Sequence, residues 1–364
     1  MSDQLRILLA GGGSGGSATP VIAVAERLRE LEPRSEVLFV GTRTGPERSL
    51  ARAAGLPFAA VPSGKLRRYW SWRNAADTVA VLAGLLASAG LVRRFRPRVG
   101  LGAGGFASVP PLAAAAVLGC RVHIHQQDAL AGLANRLLIP LARSCSVSLA
   151  ASLPYFPAER TALVGNPVRP SVLRGDAARA RETFGLEPGL PLIVVTGGGT
   201  GALGLNRLVV QAAAALVDRC QIVHLTGRGR GVPVATPLPR YRQLEFVTAE
   251  MADLLSAADL VVTRAGMGTL SELAALGKPA VLVPMPDSHQ AANAAAFAER
   301  HAALVLEQRQ LDGERLAAAL LALLAAPDRL VELAANMRRS MPADAADRLA
   351  RLVLELAGTA VGRG

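Results

Sequence analysis

The segment Thr263-Arg-Ala-Gly-Met-Gly-Thr-Leu-Ser-Glu272 carries the most specific chemistry in the chain. It reads as a strand end, a glycine turn and a helix with Thr269 and Ser271 near its first turn. Such a helix N-terminus stabilises an anion through its free amides and its dipole, and a leaving diphosphate is an anion of that kind. Glu272, about one turn inside, offers a carboxylate able to accept two hydrogen bonds from a ribose diol. The plainer alternative is that Glu272 is a favourable first-turn acid and Ser271 a helix-capping residue. Farther on, Asp287-Ser-His-Gln290-Ala-Ala-Asn293 sets polar side chains just after the next strand. The two turns would lie side by side at the carboxyl edge of a sheet, where open α/β folds bind ligands.

Three more glycine loops follow apolar strand-like runs. Gly11, Gly13 and Gly16 satisfy G-x-G-x-x-G after Arg6-Ile-Leu-Leu-Ala, and Gly197, Gly199 and Ala202 satisfy its G-x-G-x-x-A variant after Leu192-Ile-Val-Val-Thr. A dinucleotide site also needs an acid at the end of the second strand to hold the adenosine ribose. Gly41-Thr-Arg43 and Thr226-Gly-Arg228 stand there instead, which argues against a nicotinamide-dependent oxidoreductase; an arginine there leaves a phosphorylated cofactor as its one remaining form. The third loop, Gly102-Ala-Gly-Gly-Phe106, adds backbone donors to the first half, which suits a phosphate-bearing ligand.

The bases and metal ligands are sparse. His123-x-His125 has no companion cluster, so no metal site and no cofactor is expected, and core histidines with satisfied ring nitrogens are the plain reading of the pair. Cys120, Cys145 and Cys220 are too few and scattered for a disulfide framework or a zinc site, and they suggest a reducing compartment.

The elements that must position these residues alternate strand and helix. Val37–Val40, Val99–Gly102 and Val122–His125 read as strands in the first half, and Ile222–Thr226, Leu260–Thr263 and Ala280–Pro284 in the second. The repeated strand–glycine–helix opening predicts an α/β chain of two Rossmann-like, doubly wound domains facing across a cleft. Residues 1–164 would form the first, acceptor-facing domain and 165–340 the second, with the connection at Gly165-Asn-Pro-Val-Arg-Pro170. Leu330 to Leu356 reads as helix with a break near Pro342, and residues 341–364 are expected to pack back on the first domain.

A chain of 364 residues, 51% hydrophobic and 19% charged, has material for two cores and is not disordered. Its net charge of +12 favours anionic partners, although arginine supplies all of the basic residues except Lys65 and Lys278. No run reaches the length of a membrane-spanning helix, and the N-terminus enters a strand almost at once, so a cytoplasmic protein is expected. Lys65-Leu66-Arg67-Arg68-Tyr69-Trp70-Ser71-Trp72-Arg73 nevertheless gathers both tryptophans among cations. Aromatic–basic mixtures suit lipid headgroups or nucleic acid. The apolar Val79–Val92 that follows favours an anionic membrane surface, and no nucleic-acid partner is expected. A solvated loop is the alternative.

Taken in order, several segments resemble the markers of the MurG family of glycosyltransferases, and more broadly the GT-B transferases. These are Gly12 to Gly16 with Pro20, Gly102 to Phe106, His125-Gln-Gln-Asp128 with Gly132 and Asn135, Gly165 to Arg169, Gly197 to Asn206, Arg264 to Glu272, and His289-Gln290 with Asn293. The resemblance spans nearly the whole chain. It implies inverting transfer of N-acetylglucosamine from its UDP donor to a polyprenyl-pyrophosphate-linked acceptor, undecaprenyl-pyrophosphoryl-N-acetylmuramoyl-pentapeptide, at the cytoplasmic face of the membrane. A related transferase with another lipid or small-molecule acceptor, and a non-catalytic UDP-sugar binder, are the alternatives.

By the same resemblance, Glu272 would hold the uridine ribose, the backbone near Thr248 the uracil edge, Met267, Gly268 and Thr269 the diphosphate, and Gln290 the sugar hydroxyls. Arg169 and the pair Gly199–Thr200 would add donor contacts, with Ser14, Gly15, Gly16 and Asp128 reaching the sugar from the first domain. Gly13, Gly104, Gly105 and Phe106 would meet the acceptor. The chain departs from the family at Ser17, Gln126 and Asp128, where His, Glu and Asn are usual. The candidates for the proton-accepting role are therefore Asp128, His125 and Ser17.

Overall fold

The computed structural model describes residues 4–13, 15–64, 73–199 and 201–358. The chain forms two compact units, one of residues 1–169 with 344–364, the other of residues 170–343. The first boundary falls after Arg169 rather than after residue 164. The residues following the last strand of the first unit stay with it, where Asn166 is buried against His125 and Ser148. The second boundary falls after residue 343, since Arg300 donates to the Ser340 carbonyl at 2.6 Å and holds that turn to the second unit.

Seven parallel strands build the first unit: β1 (Arg6–Ala10), β2 (Glu36–Gly41), β3 (Phe58–Ala60), β4 (Val99–Gly102), β5 (Arg121–Gln126), β6 (Ser144–Val147) and β7 (Thr161–Leu163). They lie in the order β3-β2-β1-β4-β5-β6-β7, so the winding reverses between β1 and β4. Helices α1 (Gly15–Leu31), α2 (Glu47–Ala53), α3 (Arg73–Phe95), α4 (Val109–Val117) and α5 (Leu133–Leu138) connect them. Strand β1 is apolar from Ile7 to Ala10 because both of its faces are covered there. Ile7 and Leu9 join one core cluster, while Leu8 and Ala10 join the other.

The second unit repeats the plan. It holds α6 (Ala177–Thr183), β8 (Leu192–Thr196), α7 (Leu203–Leu216), β9 (Gln221–Leu225), β10 (Tyr241–Leu244), α8 (Met251–Ala257), β11 (Leu260–Thr263), α9 (Met267–Leu276), β12 (Ala280–Leu282), α10 (Gln290–Ala298), β13 (Leu304–Val305), α11 (Gly313–Leu324) and α12 (Pro327–Arg339). The parallel order is β10-β9-β8-β11-β12-β13, with the reversal between β8 and β11.

The last helix, α13 (Ala345–Ala357), belongs to the first unit. Leu349, Val353 and Leu354 on one of its faces are buried in the cluster around Ile7 and Leu9. Each such side chain contributes roughly 1.5–3 kcal/mol. Arg27 of α1 donates to Asp347 at 2.7 Å beside them.

Candidate active site

In each unit the glycine loops leave the carboxyl ends of the two strands that flank the reversal, the position at which an open α/β sheet leaves a crevice. In the second unit these are the loop of residues 197–201 after β8 and the turn Arg264–Gly266 after β11. Helix α9 begins at Met267 with Gly266 as N-cap and no capping side chain on its first amides. Helix α7 likewise starts without a side-chain cap. A Cβ placed on Gly198, Gly199, Gly266 or Gly268 would meet nothing within 4 Å, so the backbone is open to close approach. Ser271 does not cap the helix, as its hydroxyl turns back to the Met267 carbonyl.

Two buried side chains fix the walls of this edge. Arg264 is 7% exposed and donates to the carbonyls of Val283 (2.8 Å) and Pro284 (3.3 Å), tying the end of β11 to the end of β12. Burial lowers its pKa. Asn293, fully buried on α10, donates to the Ala265 carbonyl at 3.0 Å. Gln290, the first residue of α10, accepts from the Met285 amide at 3.0 Å through Oε1, which orients its Nε2 as the remaining donor. Glu272 is half-buried in α9, and Thr248 lies exposed on the loop between β10 and α8.

In the first unit the loops after β1 and β4 interlock. Gly13 has φ +86, and a Cβ on it would lie 2.2 Å from the Phe106 ring. Gly105 has φ +82, and a Cβ on it would lie 2.2 Å from the Gly12 carbonyl oxygen. Only glycine allows both the left-handed backbone and the contact. Asp128 follows β5, half-buried, with its carbonyl accepting from Gln126 Nε2 (2.9 Å) and Ser152 Oγ (3.1 Å). Gln127 Nε2 donates to the Ala103 carbonyl at 2.8 Å, joining this loop to the one after β4.

Comparison with known proteins gives this arrangement its family. Residues 7–146 match the glycosyltransferase family 28 N-terminal domain and residues 192–349 the C-terminal domain of the same family. A protein of Desulforudis audaxviator named UDP-N-acetylglucosamine--N-acetylmuramyl-(pentapeptide) pyrophosphoryl-undecaprenol N-acetylglucosamine transferase is 36% identical, over 99% of this chain and 100% of that protein. One of the same name from Lachnospira eligens is 34% identical, over 96% and 98%. The crystal structure of Acinetobacter baumannii MurG aligns with a TM-score of 0.74 and 25% identity, over 96% of this chain and 99% of that one. The chain belongs to the MurG family of glycosyltransferases.

Membership of the MurG family makes the fate of the three proton-acceptor candidates the central question in the first unit. His125 is fully buried, and both ring nitrogens are engaged: Nδ1 with Ser146 Oγ at 2.8 Å, Nε2 with Ser148 Oγ at 3.0 Å and Asn166 Oδ1 at 3.2 Å. Burial pushes it down to about 4, and its neighbour His123, bonded to Ser144 and Ser146, down to about 3. His125 is thus a core residue that fastens β5 to β6, with both ring nitrogens bonded within the unit. Ser17 is buried as well. It is 6% exposed, and its Oγ accepts from the Gly12 amide (3.1 Å) and donates to the Gly12 carbonyl (3.3 Å), closing the glycine loop.

Gln126, another departure from the MurG pattern, works as an amide. Its Nε2 donates to the carbonyls of Asp128 and Leu130, both at 2.9 Å, and its Oε1 accepts from Asn135 Nδ2 at 2.7 Å. Gly15 and Gly16 open α1, Gly104 and Phe106 are half-buried in the loop after β4, and Arg169 is the last residue before the chain enters the second unit. Ser14, Thr200 and the segment Leu66, Arg67, Arg68, Tyr69, Trp70 and Trp72 lie outside the described residues, while Arg73 begins α3.

Glu47 was not among the sequence candidates, although it is fully buried beneath the first glycine loop. It follows Pro46 at the start of a helix, where an acid reads as a surface residue complementing the dipole. The signal that could have found it is the glycine spacing around it, at 12, 41 and 45.

Proposed function

We propose that this chain transfers N-acetylglucosamine from UDP-N-acetylglucosamine to undecaprenyl-pyrophosphoryl-N-acetylmuramoyl-pentapeptide, with inversion at the anomeric carbon. The observation that carries this reading is the uncapped start of α9 beside the open loop after β8, within a chain that matches its relatives end to end. The Met267, Gly268 and Thr269 amides would hold the diphosphate, Glu272 the ribose, the Thr248 backbone the uracil edge and Gln290 Nε2 a sugar hydroxyl. Gly199, in the same unit, would add a donor contact.

The acceptor diphosphate would sit on the amides of Gly13, Gly104 and Gly105 beside Phe106. A muramoyl hydroxyl then attacks the anomeric carbon, forming the new C–O bond as the bond to the UDP β-phosphate oxygen breaks. The charge that develops on UDP falls at the α9 N-terminus, where preformed amides stabilise it without reorganisation. Asp128, a half-buried carboxylate just after β5, would accept the hydroxyl proton.

No helix among the described residues is long and apolar enough to cross a membrane. The lipid-linked acceptor would be met at the surface, at the cytoplasmic face. Val79 (67% exposed), Leu82 (57%) and Leu86 (77%) form one stripe along α3, which ends in Arg93 and Arg94. Leu133 and Leu137 of α5 are exposed too, and both helices pack on α4. An apolar stripe with flanking arginines fits an anionic membrane surface.

The test is UDP release from UDP-N-acetylglucosamine with and without a short-chain analogue of the lipid-linked acceptor. Release that depends on the acceptor supports the transferase. Tight UDP binding with no release would refute this acceptor and leave a sugar-nucleotide binder or a transferase for another acceptor.

A further inference from the structure

Glu47 is the first residue of α2 and is fully buried. Its Oε1 accepts from the Thr42 amide at 2.7 Å and from the Thr42 hydroxyl, and its Oε2 accepts from the Gly13 amide at 3.3 Å. The Thr42 hydroxyl in turn accepts from the Gly45 amide at 2.9 Å. A carboxylate is costly to bury, and among the described residues its hydrogen bonds come from backbone amides and a hydroxyl. The chain has cleared room for it, since a Cβ would fall 2.4 Å from its carboxylate at Gly12, 2.1 Å at Gly45, and 2.6 Å from its Cγ at Gly41.

The bond to Gly13 reaches the acceptor loops. It turns the Gly13 amide inward and fixes the left-handed backbone at that residue, against which the Phe106 ring lies. The preceding carbonyl, that of Gly12, is pressed against Gly105. A change at Glu47 therefore shifts the first glycine loop and, through it, the second, while the edge of β8 and β11 in the other unit is untouched.

We infer that Glu47 is a positioning residue for the acceptor: its carboxylate sets the first glycine loop, and with it the loop after β4, in the shape that receives the acceptor's diphosphate. This role rests on the transferase reading above.

Glu47→Gln tests it with almost no change in volume. One carboxylate oxygen becomes an NH2, which must face either the Gly13 or the Thr42 amide, donor against donor. Loss of one hydrogen bond to a charged group corresponds to roughly a 10- to 100-fold effect. The variant should lower kcat/KM for the short-chain acceptor by about that factor, mainly through KM, with the UDP affinity and the donor KM within about twofold of wild type. Thr42→Val, which keeps the backbone bond and removes only the hydroxyl, should show the same split more weakly, and it carries the test if Glu47→Gln fails to fold. Equal KM values for both substrates in the variants, with kcat falling only with the folded fraction, would reduce Glu47 to a structural staple and overturn the inference. A donor KM that rises as much as the acceptor KM overturns it as well. Wild-type protein without acceptor-dependent UDP release would overturn the transferase reading itself, and this role with it.

Discussion

Lowering the pH from about 7.5 to about 5 leaves His123 and His125 neutral in the folded protein but protonates them in the unfolded chain, where histidine titrates near 6.5. Burial holds them down to about 3 and about 4. A depressed histidine destabilises, because below its unfolded pKa the unfolded state binds more protons. The loss starts as the pH falls through about 6.5 and is complete only below the folded pKa. At pH 5, about 1.5 units below the unfolded value, each histidine costs about 2 kcal/mol, and the pair about 4 kcal/mol. A domain is stable by only about 5–15 kcal/mol, so this is a large fraction. Asp347, bonded to Arg351 and Arg27, is held below the usual carboxylate range, so its stabilisation lasts until the pH falls below about 4 and does not mask the effect. Urea unfolding followed by circular dichroism at pH 7.5 and 5.0, with hydrogen exchange of the β5 and β6 amides to isolate the first unit, measures it. His125→Gln, which keeps a polar side chain among Ser146, Ser148 and Asn166, should remove about half of the pH dependence in that unit. A wild-type midpoint that stays flat between the two pH values, or a His125 imidazole that titrates above about 6 by NMR, refutes the burial argument and returns His125 to the catalytic candidates.

Three further outcomes follow from the site. Asp128→Asn should cut acceptor-dependent turnover by about 100-fold or more while UDP binding by calorimetry stays within about twofold; undiminished turnover removes Asp128 as the proton acceptor. Glu272→Ala should weaken UDP binding by roughly 10- to 100-fold through the lost charge-assisted bonds to the ribose, and unchanged affinity would sink the ribose assignment. Gly105→Ala pushes a methyl against the Gly12 carbonyl at a positive φ, so urea unfolding should show a loss of about 1–3 kcal/mol, with the donor KM unchanged; a wild-type midpoint contradicts the interlocked loops.

The apolar strands that run into glycine loops announced both sheets, since a strand buried on two faces leaves no alternation to misread. Val99–Gly102 and Leu260–Thr263 are observed as read, and the runs at Val37, Val122, Ile222 and Ala280 differ only at their ends. The helical run from Leu330 to Leu356 breaks into α12 and α13, with Pro342 in the gap. The short strands β3, β6, β7, β10 and β13 were not legible. They are two to four residues long, and β6 turns Ser144 and Ser146 toward the histidines of β5, so its inward side is polar. The glycine turn and helix start after β11 were legible because they are backbone features, written in glycines and a helix start. The engagement of His125, Ser17 and Gln126 was not, because it is set by burial, and type and spacing do not reveal burial.

That difference decides what the departures at Ser17, Gln126 and Asp128 mean. Read by residue type, they look like three losses at one catalytic centre. In the structure they separate. Ser17 and Gln126 spend their polar atoms on the backbone of the loops that carry Gly12 and Asp128. A carboxylate in the place of Gln126 could not donate to the Asp128 and Leu130 carbonyls, so the amide belongs to this version of the loop. The carboxylate that such a position would supply is instead present two residues on, in the half-buried Asp128 of the same turn. Under the proposed transferase, ionisable chemistry at the acceptor edge would have moved along the loop rather than vanished, with the buried Glu47 holding the loop's neighbour and Asp128 as the proposed proton acceptor.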